Sequence, residues 1–182
     1  MQAQIAVAIA RADVGLEIAH LGRPAAGLAD LDEAIRTGER LLAANPAELF
    51  YADLLIVGYG YQADILSSVG DQPRAARKYS AALEMAERVS RADPRDLESP
   101  LSIAKLHAAL AVVYGREAEY ARGLRETDAA RSPLAAVREA RPADAEAAYV
   151  FGLNHANASV LQECVHGGVC EPARLRLPCL VN

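Results

Sequence analysis

Three residues near the C-terminus have side chains suited to metal chemistry. Cys164, His166 and Cys170 form a Cys-x-His-x-x-x-Cys run, and Cys179 follows. Thiolate and imidazole are ligands that zinc prefers. The spacing matches no common zinc pattern, however, glycines and prolines intervene, and no second ligand pair is fixed nearby. The expectation is therefore incidental tail cysteines and no metal. Three cysteines confined to the last nineteen residues are also no disulfide framework, which makes a reducing, cytoplasmic compartment the default.

Acid, base and nucleophile chemistry finds even less support. The chain has no Gly-x-Ser-x-Gly elbow, no His-Glu-x-x-His pair and no phosphate-cradling P-loop. Its carboxylates are spread over solvated helix faces. His107 falls on an apolar stripe and reads as a core histidine with a satisfied partner. No catalytic residue and no cofactor are expected.

Composition narrows the field further. Of 182 residues, 52% are apolar, yet much of that is alanine, Trp is absent, and Tyr and Phe number 7 and 2. Such a core packs by close approach of helices through small side chains. The formal charge of -5, with acids and bases interspersed, leaves no basic stripe for neutralising phosphates, which argues against nucleic acid. No apolar run approaches the roughly 18 to 20 residues that span a bilayer. The first residues have neither a charged start nor a convincing cleavage site.

The elements that would position any site repeat. Pro46, Pro94 and Pro142 stand 48 residues apart, and Gly22 and Gly70 share that interval. In the first unit, Ile5, Ile9, Ala12, Leu16 and Ala19 recur at helical spacing and Gly22 supplies a left-handed stop. Pro24 then opens a second helix with Leu28, Leu31, Ala34, Ile35, Gly38, Leu41 and Leu42 inside. Asn45 and Asp93 read as helix caps ahead of prolines. The second unit carries Leu55, Tyr59, Ala63, Leu66 and Val69, then Gly70-Asp71, then Ala75, Ala76, Tyr79, Ala82, Leu83, Ala86 and Val89. Glu84 with Arg88 and Glu87 with Arg91 are i,i+4 pairs. Tyr59, Tyr79 and Tyr114 are expected in the core, and Tyr51 and Tyr61 are less constrained and open to lining a binding groove.

The third unit starts in phase with Ile103, Leu106, Leu110, Val113 and Tyr114 and then drifts. Gly115 comes early, and Ser132-Pro133 should split the second helix into 117–131 and 133–140. A last helix is expected from Ala143 to about Val165 with Ala147, Phe151, Ala158 and Leu161 inside. The resulting organisation is a repeat array over 1–168, with units 1–45, 46–93, 94–141 and a partial 142–168. Residues 169–182 follow as an irregular tail or a strap on the last helix. Because Met1 coincides with a repeat boundary, the chain reads as cut from, or ending, a longer array.

With these positions in place, the chain resembles the tetratricopeptide repeat family. The residues that carry the likeness are Tyr59, Ala63, Leu66, Gly70, Asp71, Ala75, Tyr79, Ala82 and Pro94. Weaker matches are Gly15, Ile18, Gly22, Ala34 and Pro46 before them, and Ala111, Tyr114, Ala130 and Pro142 after. The family unit is about 34 residues, so each helix here is about two turns longer. The ending ERVSRADPRD is similar to long-helix arrays that follow the kinase domain of bacterial serine/threonine kinases, although no kinase motif is present.

The resemblance implies an all-α, right-handed α-solenoid of stacked antiparallel hairpins. It also implies a concave groove that binds protein or peptide as a signalling scaffold. By analogy the groove residues are Leu16, His20, Val57, Gly60, Tyr61, Asp64, Lys105, Val112 and Arg116. The competing expectation is a self-associating structural module, a homodimer or the continuation of an upstream domain, motivated by the apolar N-terminal helix.

Overall fold

The computed structural model describes residues 2–167 and 170–178. Eight α-helices follow in order among them: α1 (Gln2–His20), α2 (Pro24–Ala44), α3 (Leu49–Ser68), α4 (Gln72–Ala92), α5 (Glu98–Arg116), α6 (Tyr120–Ala129), α7 (Arg131–Ala140) and α8 (Ala145–Val165). A short 3-10 turn, Pro172–Arg174, comes last. There is no strand among the described residues. The 48-residue interval governs the element boundaries. First helices end at His20, Ser68 and Arg116, and second helices begin at Pro24, Gln72 and Tyr120 and end at Ala44, Ala92 and Ala140.

The same interval governs burial. One stripe of each second helix is interior: Gly27, Leu31, Ala34, Gly38 and Leu41 in α2, and Ala75, Tyr79, Ala82, Ala86 and Val89 in α4. The third copy, Gly123, Thr127, Ala130, Leu134 and Val137, runs through α6 and α7 without losing phase. The expected drift of the third unit is therefore confined to the break itself. Pro133 falls in the first turn of α7, where a missing N–H costs no intrahelical bond.

Helices cross where both sides are small. Gly15 meets Gly27, and a Cβ built on Gly15 would stand 2.8 Å from the Gly27 carbonyl oxygen. One interval on are Ala63 and Ala75, both fully buried. Then come Ala111 and Gly123, where a Cβ on Gly123 would reach 2.9 Å from the Ala111 oxygen. An alanine-rich chain with few aromatics builds its core this way because close backbones leave little volume to fill.

Four local expectations are corrected. Asn45 does not open α3; it closes α2, with its N–H donating to Leu41 O at 3.0 Å. Asp93 likewise yields to Asp96, whose carboxylate accepts the N–H groups of Glu98 and Ser99 at 2.9 Å each and also the Ser99 hydroxyl. Each proline thus lies in the turn, and the capping position is two residues later. The left-handed stop after α5 is Ala118, at φ 60°, one interval beyond Gly70 (φ 86°) and two beyond Gly22 (φ 82°). Gly115 sits inside α5 instead. Of the expected pairs, Arg91 meets Glu87 at 3.4 Å, whereas Arg88 donates to the carbonyl of Pro46.

The chain divides into two compact units, Met1–Ala92 and Asp93–Asn182. In the first, α1 packs on α2 and α3 on α4, with α3 also against α2 and α1. In the second, α5 packs on α6, α7 and α8, and α8 also lies on α6 and α7. Phe151, expected inside, is 44% exposed with the Arg138 guanidinium 4.2 Å over its ring. Val150, Asn154 and Asn157 take the interior face of α8. No helix among the described residues is long and apolar enough to cross a membrane.

Candidate functional site

One concavity of the first unit lies between its two first helices. Ile9, Ala12 and Asp13 of α1 and Phe50, Asp53, Leu54 and Val57 of α3 line a cleft of about 210 Å³. Ile9 and Phe50 are 38% and 46% exposed at its mouth, while Ala12 forms the floor. An exposed aromatic and an exposed β-branched residue at a concave apolar surface are what an interface anchor requires. The wall is apolar and the rim is acidic.

Negative charge extends from this cleft along α3. Tyr61 is buried, and its phenol is pushed up by that burial and then by Asp13, Asp64 and Glu17. Further on, Asp64 accepts the Tyr79 hydroxyl at 2.5 Å, and His20 is close enough to act on its charge. Burial raises the Asp64 carboxyl to about 6 against the opposing effect of both neighbours.

Leu16 and Val57 pack half-buried against the Ala12, Leu31, Ala34, Tyr61 and Ile65 cluster. His20 is exposed and Asp64 half-buried. Gly60 and Tyr61 are interior, because α3 is covered by α1, α2 and α4. In the second unit, Val112 is fully buried, and Lys105 is buried and ion-paired with Glu146 of α8. Arg116 is exposed at the end of α5. Leu16, His20, Val57 and Asp64 therefore come together on one α1 and α3 surface, whereas Gly60, Tyr61, Lys105 and Val112 are buried.

Tyr79 and Tyr114 are buried as expected, at 0% and 6% exposure, but the other three tyrosines depart from the expectation. Tyr51 and Tyr61 are 5% and 6% exposed, whereas Tyr59 is only half-buried. Its hydroxyl donates to Glu39 Oε1 at 2.6 Å and Lys78 lies 5.3 Å over its ring. One interval later His107 contacts Glu126 at 2.8 Å, the satisfied histidine that its position suggested. Phe50, Asp13 and Asp53 are not singled out by the sequence patterns, and Ile9, which its spacing placed on the α1 stripe, is 38% exposed; the legible signal is the unusually apolar, weakly amphipathic α1 followed by an aromatic at the start of α3.

Cys164 and Cys170 are joined in a disulfide, and Cys179 lies outside the described residues. The bridge replaces the expectation of incidental free cysteines and removes two thiolates from any zinc reading. Disulfides persist in oxidising compartments, so the default of a reducing one is not carried forward. Comparison with protein-family models, with curated proteins and with solved structures finds no match to this chain.

Proposed function

We propose that the chain is a non-catalytic, protein- or peptide-binding helical-repeat scaffold, of tetratricopeptide-like right-handed solenoid type with lengthened helices. Its setting is the regulatory repeat region of a bacterial signalling protein such as a serine/threonine kinase. The 48-residue interval in helix ends, turns and buried stripes supports the architecture. The observation that carries the function is the apolar, acid-rimmed cleft between α1 and α3. That surface suits a segment with a bulky apolar side chain flanked by Lys or Arg: the side chain fills the cleft, and Asp13 and Asp53 set its orientation and encounter rate. Rigid helices lose little freedom on binding, which favours recognition by a pre-organised surface.

Selection from a library of random twelve-residue peptides tests this. Enriched ligands should carry Leu, Met or Phe beside basic residues. Phe50→Ala should weaken them about tenfold or more, and Asp13→Lys with Asp53→Lys should abolish the basic preference while the circular dichroism stays unchanged. Enrichment of acidic peptides, or indifference to all three substitutions, would refute it. A second reading rests on the exposure of Val7, Val14 and Phe50, at 55%, 52% and 46%: these residues pair two copies. Sedimentation that shows a concentration-dependent dimer lost on Val14→Lys favours that reading; a monomer at all concentrations excludes it.

A further inference from the structure

After α8 the chain turns back onto its own unit. Leu175 is extended (φ -65°, ψ 137°) and only 1% exposed. It lies in a cleft with Ala111 and Val112 of α5 and Val160 and Leu161 of α8, and Tyr120 and Leu124 of α6 and Leu177 pack at the edge. The floor of that cleft is Gly115: a Cβ there would overlap the Leu175 side chain and stand 2.8 Å from Leu161 Cδ2. The glycine expected to stop a helix is thus the seat of a leucine.

Next to it, Asn157 is 1% exposed. Its Nδ2 donates to Arg176 O at 2.8 Å, and its Oδ1 accepts the Arg176 N–H at 3.0 Å. A side-chain amide that meets both main-chain groups of one residue reads extended backbone much as a neighbouring strand does, without regard to the side chain. In extended chain the residues on either side of Arg176 share a face, which places Leu175 and Leu177 toward the helices and Arg176 outward, where it is exposed. Backbone pairing combined with pockets for alternate side chains is how an extended peptide is recognised.

We infer that the α5, α6 and α8 cleft is a binding site for an extended Leu-x-Leu-Pro segment, filled in cis by Leu175–Pro178 and in trans by a partner with that pattern. The Cys164–Cys170 bridge tethers the cis segment. A dithiol reductant supplies two electrons and two protons, the Sγ–Sγ bond breaks to give two thiols, and the reductant closes to its own disulfide. Loss of so short a loop constraint shifts the ratio of held to free strap roughly tenfold to a hundredfold. The apparent affinity for a competing segment rises as the cleft is vacated.

Fluorescence anisotropy of a labelled EPARLRLP peptide, titrated with the full chain, decides it. The oxidised wild type should bind weakly. Cys164→Ser with Cys170→Ser should bind at least tenfold tighter, as should Leu175→Ala with Leu177→Ala. Adding Asn157→Ala to the latter should lose at least tenfold, and an EPARDRDP peptide should not bind. The inference is overturned if both opened chains bind no better than oxidised wild type, or if the two peptides bind alike. Should the leucine variant lose helical structure, the Cys164→Ser with Cys170→Ser chain and the reduced wild type decide between these outcomes.

Discussion

Asp64 illustrates how one residue links packing to pH. Its carboxyl accepts the Tyr79 hydroxyl, yet burial outweighs that bond and the nearby His20, and the group titrates at about 6 instead of its ordinary 3.8. A folded-state value above the unfolded one means that the native state binds the extra proton. The stabilisation is therefore complete below about pH 4 and is lost as pH rises through 6. The difference is on the order of 3 kcal/mol. Urea midpoints at pH 7 and pH 4.5 should show this gain on acidification in wild type and not in Asp64→Asn, which keeps an acceptor for Tyr79; equal pH responses would contradict the assignment. Asp96 acts in the opposite sense. Burial pushes it up, but bonds from Ser99 and the backbone hold it below its usual range, so its contribution is present above the unfolded value and fades as pH falls. None of this was legible in the sequence, because the Asp64 environment depends on α4 laying Tyr79 across α3.

At the scale of the helix, the start of each first helix compares one chemistry in three copies. Glu48, Asp96 and Asp144 stand one interval apart. Asp144 accepts Ala147 N–H at 2.9 Å and Asp96 caps α5 as described. Glu48 has the right extended backbone, φ -86° and ψ 97°, but makes no capping bond. A glutamate side chain is one methylene too long to fold back at this position. Glu48→Asp should stabilise the first unit by about 1 kcal/mol, read as a raised urea midpoint with an unchanged slope. The hairpin crossing gives the reverse case. Any side chain on Gly27 would meet the Gly15 carbonyl and Ala19, so Gly27→Val should force α1 off α2 and cost about 3 kcal/mol; a loss under about 1 kcal/mol would mean that the helices separate freely. Helix existence, the broken third unit and the interval itself were all legible, since prolines and apolar periodicity act locally. The caps were misread by three residues because a proline marks the neighbourhood of a turn and leaves open which side chain can reach a free N–H.

Across the whole chain, the 48-residue interval is obeyed by geometry more strictly than by residue type. Gly22 and Gly70 are followed one interval later by Ala118, which holds φ 60° although alanine meets a steric penalty there. Searching for a glycine leads instead to Gly115, whose missing side chain makes room for Leu175. The backbone needed its turn at 118 whatever residue stood there, because α6 must begin at Tyr120 for Gly123 and Thr127 to face inward. Ala118→Gly should therefore remove strain of about 1 kcal/mol, partly offset by the greater freedom of glycine in the unfolded chain. Glu48 and Ala118 belong to different compact units, so their substitutions should not interact. The double variant should show the sum of the two single gains to within about 0.5 kcal/mol when hydrogen exchange follows the amides of α3 and of α5 in parallel. A gain at Ala118→Gly that vanishes in the presence of Glu48→Asp would show that the interval reflects mutual dependence between hairpins, whereas independence would show that each turn is selected locally by the helices it joins.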